Sequence, residues 1–124
     1  MIKNIILVAL GGALGSVLRY LFTLIRFPGF YKLYINTLIT NVIGCFLIGF
    51  LSTYFLTKIN YQNLNLLFLT GFCGGFTTFS TFALENQKMM QTNQSIDSMI
   101  YIILSVILGI VFVFIGQKLA NNLI

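Results

Sequence analysis

Charge is nearly absent from this sequence: only 7% of its 124 residues are Asp, Glu, Lys or Arg, two of them acidic, and there is no histidine. A water-facing domain carries about 25% charged residues to cover its surface. So few charges cannot solvate a chain that is 58% apolar, which places it in lipid. Without histidine, and with Glu85 and Asp97 as the only acids, both at the ends of apolar stretches, no nucleophile, base and acid cluster can be assembled, so an enzyme is excluded. The two cysteines, Cys45 and Cys73, lie inside apolar stretches without the spacing of a redox or metal site and read as small buried residues. The net charge of +5 comes from scattered residues, so no basic run exists to grip nucleic-acid phosphates.

What the sequence does have is four long apolar segments, at about residues 5–25, 33–56, 64–84 and 98–119. A helix crossing the hydrocarbon needs roughly 20 such residues. Four spans use nearly the whole chain, so residues 1–124 form one all-α membrane domain with no room for a soluble one. The segments 26–32, which holds the single proline, 58–63 and 85–97 are connectors, and 86–95 reads as exposed and the most mobile. Lys3 followed by an apolar run reaching Ala9, Gly11 and Ala13 has the outline of a signal peptide, but the segment is glycine-faced for packing and is expected to stay as the first span.

Each span carries residues that a plain lipid-facing helix would not. Gly11 and Gly15 form a GxxxG pair in the first, and Gly12 with Ser16 repeats the small-residue spacing, a face that lets two helix backbones approach closely. Arg19 continues that face; it is either the interface end of the helix or a functional guanidinium by a wet cavity. In the second span Thr37, Asn41 and Gly44 share one face. Asn41 needs partners at membrane depth, either another helix or a water- or ion-filled path. In the fourth, Tyr101, Ser105 and Gly109 draw a thin polar line that is a pathway or a packing groove, while Glu85 at the end of the third reads first as a solvated carboxylate.

The third span is the least ordinary. Its stretch Gly71-Phe72-Cys73-Gly74-Gly75-Phe76-Thr77-Thr78-Phe79-Ser80-Thr81-Phe82 makes a poor continuous helix, and a break is expected near Gly74 and Gly75. Carbonyls freed at such a break can coordinate a cation. Beyond it Phe79 and Phe82 share a face, with Ser80 on a different azimuth. Aromatic ring edges are positive, so two of them suit a partly dehydrated anion, although paired phenylalanines also arise by chance in a chain with 13.

On Gly11 through Tyr20, Thr37 through Gly44 and Gly71 through Phe82, the chain resembles the CrcB/Fluc family of small fluoride channels over essentially its whole length. The resemblance implies an antiparallel dual-topology homodimer in a bacterial cell membrane, with two pores lined by both subunits. It also implies a structural Na+ held by the backbone carbonyls of Gly74 and Thr77 from each protomer. By the same resemblance Phe79 and Phe82 supply ring edges to fluoride, Asn41 and Ser80 supply polar contacts, Glu85, Tyr101 and Ser105 form a polar track, and Arg19 sits by the vestibule. The chain departs from the family pattern at Asn36, where Gly is usual, at Ser16 and Thr40, and at Gly109, where some members continue the track with a hydroxyl.

A selective path for a small, strongly hydrated anion replaces water with several donors in a narrow passage. The sequence offers amide, hydroxyl and aromatic groups for this with no fixed intramembrane charge to trap the ion, which favours passive conduction. A small multidrug-type exporter, the transporter alternative, needs a carboxylate in the first span, and there is none. An assembly subunit is the remaining alternative. Lys3, Lys58 and Lys118 fall on the side of the termini and Arg26, Lys32 and Lys88 on the other, so no Lys/Arg bias fixes the orientation and insertion both ways is expected.

Overall fold

The computed structural model describes residues 1–25 and 34–124, and among these it is entirely helical. Helix α1 (Ile2–Thr23) and helix α2 (Ile35–Phe55) are followed by a third, composite helix. This runs through α3 (Tyr61–Leu64), a π-helical segment (Asn65–Cys73) and the single turn α4 (Gly74–Phe76), then resumes as α5 (Phe79–Gln91). Helix α6 (Ser95–Asn121) completes the chain. Four of these runs, Ile2–Thr23, Ile35–Phe55, Tyr61–Gln91 and Ser95–Asn121, are long and apolar enough to cross a membrane. The connector carrying Arg26 and Lys32, and the first residue assigned to the second span, lie outside the described residues.

Two helix pairs carry most of the packing, α2 with α6 and α1 with the π segment and α4. Both close over glycines. A Cβ at Gly11 would overlap the Leu67 carbonyl, and one at Gly15 would overlap the Phe72 carbonyl and stand 2.8 Å from the Phe76 nitrogen. The small-residue face of the first span is thus pressed against the third helix. On the other side Gly49 meets the Val113 backbone, and Gly116 meets Phe46 and Phe50. Contact positions advance together in each pair, Gly11 by Gly71 and then Gly15 by Phe76, Cys45 by Gly109 and then Gly49 by Val113, so each pair runs in one direction. Spans alternating across a bilayer give that pairing for the first with the third and the second with the fourth.

The interruption in the third helix falls later than the glycines suggest. Gly74 and Gly75 are helical, and the break is at Thr77 (φ −83°, ψ 159°) and Thr78 (φ −149°, ψ 120°). The reason is a division of labour. Gly75 is needed for close approach, since a Cβ there would stand 3.0 Å from the Gly12 Cα. Thr78 instead has the chemistry of a helix start: β-branched and at home in extended backbone, it caps α5 by accepting from the Thr81 N–H at 3.3 Å.

The helix after the break also extends past the expected limit of the third span at residue 84. It continues to Gln91, and Glu85, Asn86 and Met89 are buried. The polar stretch 86–95 is therefore half helix, and only the tight turn around Asn93, the one described non-glycine residue with positive φ (58°), separates α5 from α6.

Candidate functional site

The extended pair Thr77–Thr78 would leave several backbone groups without helical partners at membrane depth, where each orphan is expensive. Asn41 on α2 resolves this. Its Oδ1 accepts from the Thr78 N–H at 2.8 Å, and its Nδ2 donates to the Thr78 carbonyl at 3.1 Å. One amide thus binds both polar groups of one residue, as a neighbouring strand would. Asn41 thus has an interhelical partner, a backbone rather than a side chain, and it also lines the groove described below. The same face of α2 places Gly44 against the Thr77 methyl and Thr37 against Glu85, so the three residues in register along α2 all meet the third helix at or after its break. As Thr37 meets Glu85 and Asn41 meets Thr78, these helices run antiparallel.

Holding Thr78 extended sets the start of α5, and with it the two phenylalanines. Phe79 and Phe82 lie with ring centroids 5.8 Å apart, tilted by 42°. Phe82 continues onto Tyr101 at 5.1 Å. Both phenylalanines line a groove of about 500 Å³ together with Asn41, Gly74, Thr77 and Ser105. Phe79 is 79% exposed. The Ser105 hydroxyl is buried and has no hydrogen-bond partner among the described residues, and Ser105 lines this groove. Gly109 does not prolong the polar line; a Cβ there would stand 3.4 Å from the Cys45 sulfur.

Glu85 is not the solvated helix-end carboxylate of the simplest reading. It is 9% exposed, its Oε1 accepts from Thr37 Oγ1 at 2.7 Å, and its Oε2 accepts from the Tyr101 hydroxyl at 2.8 Å. The helix running six residues beyond it is what takes it inside. Glu85 and Tyr101 are thus joined, while Ser105, one turn further along α6, stands apart from them. Ser80 is exposed and reaches only the Thr78 hydroxyl, at 3.5 Å.

Arg19 belongs to a second, smaller cavity of about 230 Å³, lined mainly by polar side chains that include Asn36, Thr37, Thr40, Thr78 and Thr81. Thr78 lines both cavities and so forms the partition between them. Asn36, one of the departures from the family pattern, has a local task here. Its Nδ2 donates to the Phe22 and Ile25 carbonyls at 2.6 and 2.8 Å, capping the C-terminal end of α1.

The break also releases carbonyl oxygens. A continuing helix would return the Thr78 N–H to the Gly74 carbonyl and the Thr81 N–H to that of Thr77, but these donors go to Asn41 and to the Thr78 hydroxyl. Gly74 faces open space, with nothing within 4 Å of an added Cβ. Neutral carbonyl oxygens at the edge of an open groove are the donor class that an alkali cation takes, so the residues fit the Na+ that the resemblance implies.

Sequence reasoning did not find Thr78, Asn86 or Ser98 as site residues. For Thr78 a signal existed: Thr78-x-x-Thr81 ahead of a helical run is a cap-like spacing. Asn86 sits in the stretch that read as a polar connector and Ser98 at the first position of the fourth span, and only the packing of α5 beside α6 reveals them as interior.

This arrangement, an amide-clamped helix break behind paired phenylalanines, can be compared with known proteins. Residues 6–117 match the profile of the family described as CrcB-like protein, Camphor Resistance (CrcB). The chain belongs to the CrcB family. Among its relatives, a protein of Ignicoccus hospitalis named fluoride-specific ion channel FluC is 42% identical over 98% of each chain. One of Flavobacterium psychrophilum with the same name is 43% identical over 98% of this chain and 99% of its own. A third, from Helicobacter pylori, is 40% identical over 94% of this chain and 92% of its own. The CrcB chain described here thus aligns with these relatives over 94–98% of its length.

Proposed function

We propose that this CrcB chain is a fluoride-selective channel, not an enzyme, conducting F− passively across the cell membrane of a bacterium and so lowering cytoplasmic fluoride. The observation that carries the reading is the Asn41 clamp on Thr78, which fixes Phe79 and Phe82 side by side on an open groove that Ser105 also lines. Ring edges, the Asn41 amide and hydroxyls substitute for water around a dehydrating anion without a fixed cation to trap it. Arg19 in the smaller cavity attracts the anion to the entrance, Ser80 with Asn41 supplies polar contacts along the path, and Glu85, Tyr101 and Ser105 form the polar track.

The finer parts of the proposal concern assembly. With Phe79 on one open wall, a single chain encloses no conduit; a second copy, inserted in the opposite direction, supplies the missing wall, giving two pores per dimer. The even split of Lys and Arg between the two sides supports insertion both ways. Gly74 and Thr77 of each protomer would hold a structural Na+, whose charge would tie the two interrupted helices together. Gly74→Ala tests this part cleanly. The added Cβ meets nothing within the protomer, so a loss of dimer on size-exclusion chromatography reports contact with the partner, whereas an unchanged dimer excludes Gly74 from the interface.

The test of function is efflux from proteoliposomes loaded with fluoride or chloride, followed with ion-selective electrodes. Fluoride flux well above chloride flux is expected; no fluoride flux, or equal flux of both, overturns the reading. The buried Glu85 gives one observation to the alternative of a proton-coupled four-span exporter, because intramembrane carboxylates commonly carry protons. Fluoride current that reverses at the fluoride equilibrium potential regardless of the pH gradient decides for the channel.

A further inference from the structure

Helix α5 meets α6 and α2 over a shorter stretch than α2 meets α6 or α1 meets the π segment. Its apolar anchor is Met89, which is 2% exposed and packs with Leu38 of α2 and Tyr101 of α6, with Phe82 against the same cluster. That anchor lies near the C-terminal end of α5, about two turns from Phe82. Rotation of the helix would move the Phe82 ring.

Two polar links add to this packing nearer to Phe82. The Tyr101 hydroxyl donates to Glu85, as described above. One residue on, Asn86 is 6% exposed, its Nδ2 donates to the Phe82 carbonyl at 2.8 Å, and its Oδ1 accepts from Ser98 Oγ at 2.8 Å. Ser98 is fully buried. A single hydrogen bond between two helices is a pivot. Two bonds displaced along the axis are a brace, and Ser98 lies about 4.5 Å of helix rise from Tyr101. Because the Asn86 amide is also tied to the carbonyl of Phe82, the brace ends on the backbone of the groove residue itself.

We infer that Asn86 and Ser98 are positioning residues of the conduction path, acting through Phe82 by locking the rotation of α5 against α6. The inference rests on the channel reading proposed above. It differs from a purely structural role in one respect. A bond that only stabilises the fold changes how many channels are intact, whereas a bond that sets the angle of Phe82 changes the current through each intact channel.

The experiment is unitary fluoride current from the full-length chain in planar bilayers, with dimer content checked by size-exclusion chromatography. Ser98→Ala removes one oxygen from a buried site and is the mildest variant; Asn86→Ala removes both bonds. Unitary current is expected to fall about 3- to 20-fold in each, the range set by one interhelical hydrogen bond inside a membrane, with Ser98→Thr, which keeps the hydroxyl, restoring most of it. Fewer channels of unaltered unitary current in Ser98→Ala and Asn86→Ala overturn the inference, as does a Ser98→Thr variant no better than Ser98→Ala. A wild-type chain carrying no fluoride current overturns the channel reading and this inference with it. A normally conducting wild type beside variants of wild-type unitary current overturns this inference alone.

Discussion

The third helix has two halves built on opposite principles. Before the break, the π segment and α4 lie against α1 through Gly11, Gly15, Gly71 and Gly75, with backbone touching backbone. After it, α5 is held by side-chain hydrogen bonds, from Thr37 and Tyr101 to Glu85 and from Ser98 to Asn86, beside the buried Met89, which packs with Leu38 and Tyr101. Inside a bilayer, close packing gives rigidity without specifying any ion chemistry, because lipid tails offer no hydrophobic gradient to exploit. Polar links are few, but they fix angles. The half that is dry anchors the interrupted helix, and the half that is polar aims it.

Substitutions that treat the two halves alike should separate them, and the expected effects are ordered here by stability. The largest belongs to Gly15→Leu. Four added carbons must displace the Phe72 carbonyl and the Phe76 nitrogen, a cost of about 3 kcal/mol or more, so assembled protein should vanish from size-exclusion profiles; a monodisperse Gly15→Leu protein would show that the dry half is not tightly packed. Asn41→Leu comes next. It leaves the N–H and carbonyl of Thr78 without partners, about 2–4 kcal/mol in total, seen as a lowered thermal midpoint in detergent together with lost fluoride flux.

Tyr101→Phe should cost about 1 kcal/mol, since it deletes one of the two donors to Glu85 and leaves Thr37 in place; the thermal midpoint should fall by much less than in Asn41→Leu. Smallest is Phe79→Ile. The ring is mostly exposed in the protomer, so the stability of the protomer should move by less than about 0.5 kcal/mol, yet fluoride flux should be lost. A Phe79→Ile protein that conducts normally would remove the ring edge from the path.

Much of this was legible in the sequence, and particular residues show why. The small-residue spacing of Gly11, Gly12 and Gly15 signals a packing face because helical periodicity is local, and the structure puts that face against Gly71 and Gly75. The same periodicity groups Thr37, Asn41 and Gly44, which do share one face toward the third helix. The break was legible in kind but not in place: glycine weakens a helix by propensity, and whether that weakness is used depends on what lies across from it, here Gly12. Glu85 was misread for a related reason. Polar residues from Glu85 onward resemble a loop, and only α2 and α6 closing around them supply the donors that let a carboxylate stay inside.

The near absence of charge and the lengths of the apolar runs determine by themselves a protein with four membrane-spanning helices, because the hydrophobic thickness of a bilayer and the period of a helix act on each segment separately. The Gly71–Phe82 motif carries the resemblance to the CrcB family that the family match bears out. Tertiary structure decided where the third helix opens, which amide closes over the opening, and that Glu85, Asn86 and Ser98 are interior. Each of these depends on a partner from another helix. A buried polar group takes its meaning from the atom it meets, and that atom lies 12 to 48 residues away in the chain.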